Sequence, residues 1–380
     1  MNGTELLAFV LLGAAMLVHV VLVNITIGTG WISALMRFLG WRRGDDELET
    51  LSRRVLKILI VIELFSGVWG TVITIVLAGL FPTLMAMVTD ILYYPILISL
   101  SSIFIRIPTI ALFWYTWGKV KPSVHSAIGF VMALSGFLIP FGFRFIFSEI
   151  TYPYAIVLAS QGLRDVARMA VFSNPLFPAL LLHTWMGALS IGGFVVTSFF
   201  ATKKNVNAKF GYVGLRYGIV FLVAQGVTGP TYFLALSNYA PLLFANVMGT
   251  SSSTADFSYA FVVKMGLVTT LAVVAYKVWT RVRKGHGVMP RYALALAPLA
   301  ISAAVAGETI NDGGRYPYVV LSGWSGLPVT DFVNVYSTIP IEIVYIIVVS
   351  LFLIVGAFVV ATYYALNKGL LAEASESSMT

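Results

Sequence analysis

Apolar residues run along this chain in long, nearly unbroken blocks, without the strict alternation of strands or the one-sided spacing of soluble helices. A helix needs about 20 mostly apolar residues to cross a bilayer. Nine blocks meet that length, at about 6–39, 55–80, 91–117, 124–148, 175–201, 211–235, 257–280, 291–309 and 337–365. The pattern predicts an all-α integral membrane protein with nine transmembrane helices, one polytopic membrane domain over residues 1–370 and a disordered tail at 371–380. Glu5 stands where a basic leader region would be, and the first block is too long for a leader's apolar core, so no cleaved signal peptide is expected.

Three connections break the pattern. Residues 149–174 contain AIVLASQGLRDVARMAVF, an amphipathic stretch suited to lying along the interface. Residues 236–256 read as a short polar loop, and residues 308–334 as a loop rich in Gly, Pro and charge.

Composition and charge sharpen the picture. Only 11% of the residues are charged, against about 25% in a soluble domain, and 59% are hydrophobic. Lys and Arg total 24. With nine spans, 18 of them fall at one side and its flanks, four (Arg144, Arg164, Arg168 and Arg315) at the other, and two (Arg106 and Lys264) within spans. Basic loops stay in the cytoplasm, so the N-terminus is expected outside and the C-terminus in the cytoplasm. The +8 net charge is then topogenic, and no nucleic-acid partner is implied.

The chain has no cysteine, which removes thiolate-held iron–sulfur clusters, covalent Cys-linked haem, Cys-ligated zinc and disulfides. Four histidines remain: His19, His125, His183 and His286. His125 and His286 fall in cytoplasmic loops and are expected to be solvated. His19 and His183 fall inside spans, where polar groups are costly and mark function. His183 and Met265 each lie about eight residues into their spans from the same side, a shared depth of roughly 12 Å. An imidazole and a thioether at one depth on two helices suit the axial positions of a b-type haem. A hydrogen-bonded core His and an ordinary core Met are the plainer alternatives. Gly187, Ala188, Ser190, Gly192 and Gly193 would leave room for a flat macrocycle.

Buried charge supplies further candidates in Glu63, Arg106, Lys264, Glu308 and Glu342. Glu63 and Arg106 lie at similar depth and are expected to neutralise each other; a proton relay or a propionate contact is the alternative. Lys264 can snorkel outward or pair a propionate. In ETINDGGRYPYVV, Asp312, Gly313, Gly314, Arg315 and Pro317 suit either a rigid clamp for an anionic cofactor or a Gly-rich turn.

Three segments resemble subunit I of the cytochrome bd quinol oxidases. LLAFVLLGAAMLVHVVLVNITIGTG resembles that family's opening helix with its haem-ligating His, here His19. FSNPLFPALLLHTWMGALSIGGFVV resembles its Asn-Pro…His-Thr segment, with Asn174, Pro175, His183 and Thr184 in register. NDGGRYPY resembles its Glu-x-Gly-Arg-x-Pro-Trp motif, at Asp312, Gly314, Arg315, Pro317 and Tyr318.

The resemblance implies a quinol:oxygen oxidoreductase subunit in the plasma membrane of a prokaryote. Its cofactors would be haem b, two copies, and haem d or a further haem b. Its partners would be a second membrane subunit, subunit II-like or a paralogous subunit I, together with membrane quinol and dioxygen. His183 would ligate the low-spin b haem with a Met on span seven, for which Met265 is nearest; alignment on Gly266 instead puts Lys264 at that position. His19 and Asp312 would serve the oxygen-reducing haems as catalytic ligands, and Arg315 would contact a propionate. Two span-three carboxylates of the family are replaced by Ser99 and Ile107, and its quinol loop by Tyr239, Ala240, Pro241 and Leu242. These departures keep two alternatives open. One is a degenerate paralogue holding b-type haem for electron transfer or as a structural partner. The other is a haem-free transporter.

Overall fold

The computed structural model describes residues 3–201, 208–284, 290–333 and 349. In chain order the helices are α1 (Gly3–Arg43), α2 (Asp46–Leu80), α3 (Pro82–Ile91), α4 (Tyr93–Tyr115), α5 (Pro122–Thr151), α6 (Tyr154–Ser160) and α7 (Arg164–Ala170). They continue with α8 (Phe177–Phe199), α9 (Ala208–Tyr239), α10 (Pro241–Met248), α11 (Ser258–Arg283) and α12 (Pro290–Gly313). Among the described residues, 8 helices are long and apolar enough to cross a membrane: α1, α2, α4, α5, α8, α9, α11 and α12. The chain is a multi-pass helical membrane protein. The ninth expected span, 337–365, lies outside the described residues.

Long uninterrupted helices follow from the solvent, because lipid offers no partner for a free backbone N–H or C=O. Breaks fall where the sequence supplies a stop. Gly44 takes a positive φ of 62° between α1 and α2. Asp45 then caps α2, accepting from Glu47 N at 3.1 Å and Leu48 N at 3.2 Å. The Leu48 N–H bond is the main reason that carboxyl is held below its ordinary range.

α1, α2, α4 and α5 pack as one group of four, and α8, α9, α11 and α12 as a second, joined where α1 and α5 meet α8. The small residues after His183 do not open a slot for a macrocycle. A Cβ on Gly192 would meet the Gly28 backbone of α1, and one on Gly193 would come 2.6 Å from Gly218 Cα of α9. Gly187 faces the Gln225 amide, again on α9. Adjacent glycines thus seat α8 between α1 and α9 by close backbone approach. Gly192→Leu is expected to force α1 and α8 apart and destabilise the chain by about 1–3 kcal/mol or more. A thermal unfolding midpoint unchanged from wild type would show that the crossing tolerates side chains.

One end of the bundle carries the irregular structure. The 149–174 stretch is two short helices, α6 and α7, separated at Gly162 with φ 85°. The Arg168 guanidinium of α7 donates to the Asp90 carboxylate of α3 and, from Nε, to the Asp90 carbonyl at 3.1 Å, and it holds that carboxyl below its ordinary range. The 236–256 loop contains α10. The 308–334 loop begins later than its composition suggests, because α12 runs through Gly313. A hairpin follows, β1 (Tyr318–Ser322) against β2 (Ser325–Pro328), antiparallel with Ser322 opposite Ser325.

Candidate functional site

Side chains from both groups converge near the end that carries the hairpin. His183 projects from α8, and its Nδ1 is buried with no hydrogen-bond partner. Its ring stacks on Tyr232 of α9, with centroids 5.5 Å apart and planes at 22°. One turn earlier on α9, Gly229 leaves that ring uncovered, for a Cβ there would reach it at 3.7 Å.

Charge surrounds this histidine. Arg144 of α5 and Lys264 of α11 both lie within electrostatic reach of it. Arg144 Nη1 stands 3.6 Å from Glu308 Oε1 of α12. Lys264 does not snorkel: its stem lies along Gly307 and it is within electrostatic reach of Glu308. Met265, one residue on, is 45% exposed and faces away. Asp312 lies in the last turn of α12, not in a loop, and its Oδ2 is buried without a hydrogen-bond partner. Arg315 is buried, donating from Nε to Asn311 O at 3.1 Å and from Nη2 to Thr151 Oγ1 at 3.1 Å.

His183, Lys264, Asp312 and Arg315 are thus brought into one cluster, and Met265 is left outside it. Three cations (Arg144, Lys264 and Arg315) face two carboxylates (Glu308 and Asp312), which leaves one positive charge in excess. Among the described residues no three His, Asp or Glu converge to cage a bare metal ion. A haem needs less, since it brings its own four nitrogens and asks the protein for one or two axial ligands and for cations beside its propionates. An unbonded buried imidazole nitrogen, an unbonded carboxylate oxygen and surplus guanidinium charge fit that request.

His19 is a second, separate position. Its Nδ1 lies 3.0 Å from the Ser66 carbonyl of α2, which can only accept. Nδ1 therefore carries the proton and the Nε2 lone pair is free, the arrangement that orients a metal-binding histidine. Gly70 lies against the ring, where a Cβ would come within 3.2 Å. Glu63, within electrostatic reach of His19, is held by Arg106: Nε donates to Oε1 at 2.7 Å and Nη2 to Oε2 at 2.9 Å. The pairing expected from matched depth is present.

His125 corrects the expectation of a solvated loop residue, as it is 0% exposed. Its Nδ1 accepts from Arg37 Nε at 2.8 Å, its Nε2 donates to Phe113 O at 2.9 Å, and its ring stacks on Phe113. Both ring nitrogens are occupied, so this histidine ties α1, α4 and α5 together. His286 and Glu342 lie outside the described residues.

Two contributors escaped the sequence reading. Arg144 counts only as one of the four cations of the sparsely charged side, although its setting amid phenylalanines in FGFRFIF marks it as buried. Glu149, fully buried, accepts from Asn174 Nδ2 at 2.7 Å and from Ala155 N at 2.9 Å. Asn174 of the Asn-Pro motif thereby fastens the end of α5 to the start of α8. At the departures, Ser99 donates to Ile139 O at 2.7 Å, and Ala240-Pro241 forms the corner between α9 and α10.

The sequence profile of cytochrome bd terminal oxidase subunit I matches residues 7–258. The chain belongs to that family. Its fold is similar to a chain of the bd oxidase from Geobacillus thermodenitrificans, with a TM-score of 0.80 at 18% identity, covering 97% of this chain and 99% of that one. No curated protein matches it in sequence. At that identity the structural likeness is one of fold.

Proposed function

We propose that this chain is the haem-binding subunit of a bd-type terminal oxidase, passing electrons from a membrane quinol to dioxygen beside a second membrane subunit in a prokaryotic plasma membrane. The observation that carries the reading is the unbonded His183 nitrogen within a cluster of excess positive charge. Bound haem would supply one-electron redox chemistry and, at an open iron position, oxygen binding. His183 would hold a low-spin b haem with a residue of α11, either Met265 or Lys264. His19 and Asp312 would serve the oxygen-reducing position, which takes a further haem b or haem d. Arg315 and Arg144 are the cations available to propionates. With the N-terminus outside, the whole cluster lies toward the outer face.

One observation favours a second reading, in which the subunit carries b-type haem only and transfers electrons without reducing oxygen. α4 presents no carboxylate, since Ser99 is spent on a backbone carbonyl and Arg106 occupies Glu63. A buried carboxylic acid is one of the side chains that can donate protons in such chemistry.

Reduced-minus-oxidised spectra and pyridine haemochrome analysis of the purified chain with its partner subunit separate these readings. A high-spin haem d or further haem b beside the low-spin haem b, with quinol-driven oxygen uptake, is the expected result. Low-spin haem b alone, without oxygen uptake, would move the assignment to electron transfer, and no haem would overturn both.

A further inference from the structure

This inference rests on the haem-binding reading above and concerns which atom of α11 meets the iron opposite His183. His183 is the seventh residue of α8, Phe177–Phe199, and Lys264 the seventh of α11, Ser258–Arg283. Both helices start at the same end of the bundle, so the two residues share a depth of about 9 Å at 1.5 Å per residue. Met265 follows one position later, which turns its side chain about 100° around the helix. That rotation decides its fate: at 45% exposure it points out of the bundle.

Lys264 points the other way. Its stem lies along Gly307 of α12, where an added Cβ would come 3.2 Å from Cε and 2.8 Å from Nζ. A glycine at 307 therefore keeps open the groove that the lysine follows. His183 and Glu308 are within electrostatic reach of its amine. A half-buried amine beside a cationic cluster is costly unless something outside the chain uses it.

We propose that Lys264, and not Met265, is the axial ligand that α11 gives to the low-spin b haem, forming a histidine–amine pair. Ligation requires the ammonium to release a proton, since only the neutral amine has a lone pair for iron. That proton passes to water as the iron takes the amine, since Glu308 Oε1 faces Arg144 Nη1 at 3.6 Å and no hydrogen bond joins it to Lys264. The ligand exchange has a redox consequence as well: a thioether raises the potential of a haem, so an amine in its place holds the ferric form more firmly.

Spectra of the purified chain with its partner subunit test this at three points. The wild-type oxidised protein should show a low-spin b haem without the thioether-to-iron charge-transfer band in the red. Lys264→Met should gain that band and a higher midpoint potential at unchanged haem b content. Lys264→Ala should lose the low-spin signal, and Met265→Leu should leave it as in wild type. A thioether band in wild type, or a low-spin signal lost in Met265→Leu, overturns the assignment. A low-spin signal that survives in Lys264→Ala also overturns it and makes Lys264 a propionate partner. Wild-type protein without haem b by pyridine haemochrome would overturn the functional reading itself, an outcome distinct from any of these.

Discussion

Arg106→Leu is expected to destabilise the chain by about 3–5 kcal/mol, the range found when one member of a buried ion pair is removed. Arg106 is 1% exposed and binds three other helices from its place on α4. Its guanidinium grips Glu63 of α2 with two bonds, and it donates further to Met132 O of α5 at 3.0 Å and Thr26 O of α1 at 3.2 Å. Leucine would leave the Glu63 carboxylate without its cation and withdraw a donor from two carbonyls, of which Met132 O keeps Ser135 Oγ at 2.8 Å. Lysine is not a remedy, because a single ammonium cannot reproduce the planar fork that meets both carboxylate oxygens. Gly136 lies so close to the guanidinium that a Cβ there would collide with it, and a Cβ on Gly30 would crowd Leu59 at 3.1 Å. The double variant Glu63→Leu/Arg106→Leu should recover much of the loss, since it removes the stranded charge along with its partner. Thermal unfolding of the detergent-purified protein, followed through tryptophan fluorescence, gives the cycle directly. A single variant within about 1 kcal/mol of wild type, or a double variant worse than either single, would mean that the pair contributes differently from this account.

The same pair marks how far the sequence could be read. Depth along a helix is a matter of counting, so Glu63 and Arg106 could be matched before their contact was known. Likewise, the ends of α5 at Pro122–Thr151 and of α8 at Phe177–Phe199 fall within a few residues of the apolar blocks that predicted them. Rotation about a helix axis is different. A soluble helix shows its inner face by its apolar stripe, but a helix in lipid is apolar on both sides, and α11 gives no such stripe. Counting could therefore place Lys264 and Met265 at nearly the same depth without saying which faces α12.

Gly192 and Gly193 meet Gly28 and Gly218 instead of a macrocycle, for a related reason. Small residues signal close approach, and only the fold says whether the neighbour is a cofactor or another backbone. His125 is expected in a cytoplasmic loop, whereas Pro122 begins α5 and the ring stacks on Phe113. The NDGGRYPY segment was half legible. Its glycines suggested a turn, but α12 continues to Gly313 and carries Asp312 inward, while Asn246 of α10 fixes the next peptide by donating to Gly314 O at 2.7 Å.

His183→Ala should abolish the low-spin haem signal and cut quinol-driven oxygen uptake by at least about 100-fold, beyond the 10–100-fold typical of residues that merely support a metal ligand. Its effect on folding should be small by comparison. An imidazole whose Nδ1 bonds to nothing forfeits mainly its stacking on Tyr232 and its packing, about 1–2 kcal/mol, with no partner stranded by its loss. The contrast with His125, which is 0% exposed, is the sharper part of the prediction. His125→Ala would strand Arg37 Nε and the Phe113 carbonyl in a dry site, so it should lower the unfolding midpoint while leaving haem content per folded protein unchanged. His19→Ala should fall between them, losing one bond to the Ser66 carbonyl and the signals of the oxygen-reducing position, with the low-spin haem retained. Haem spectra, oxygen uptake and unfolding midpoints taken on the three variants side by side thus sort the histidines by what each one faces. A His183→Ala protein that keeps its low-spin spectrum, or that loses no more activity than His125→Ala does per folded molecule, would remove His183 from the site.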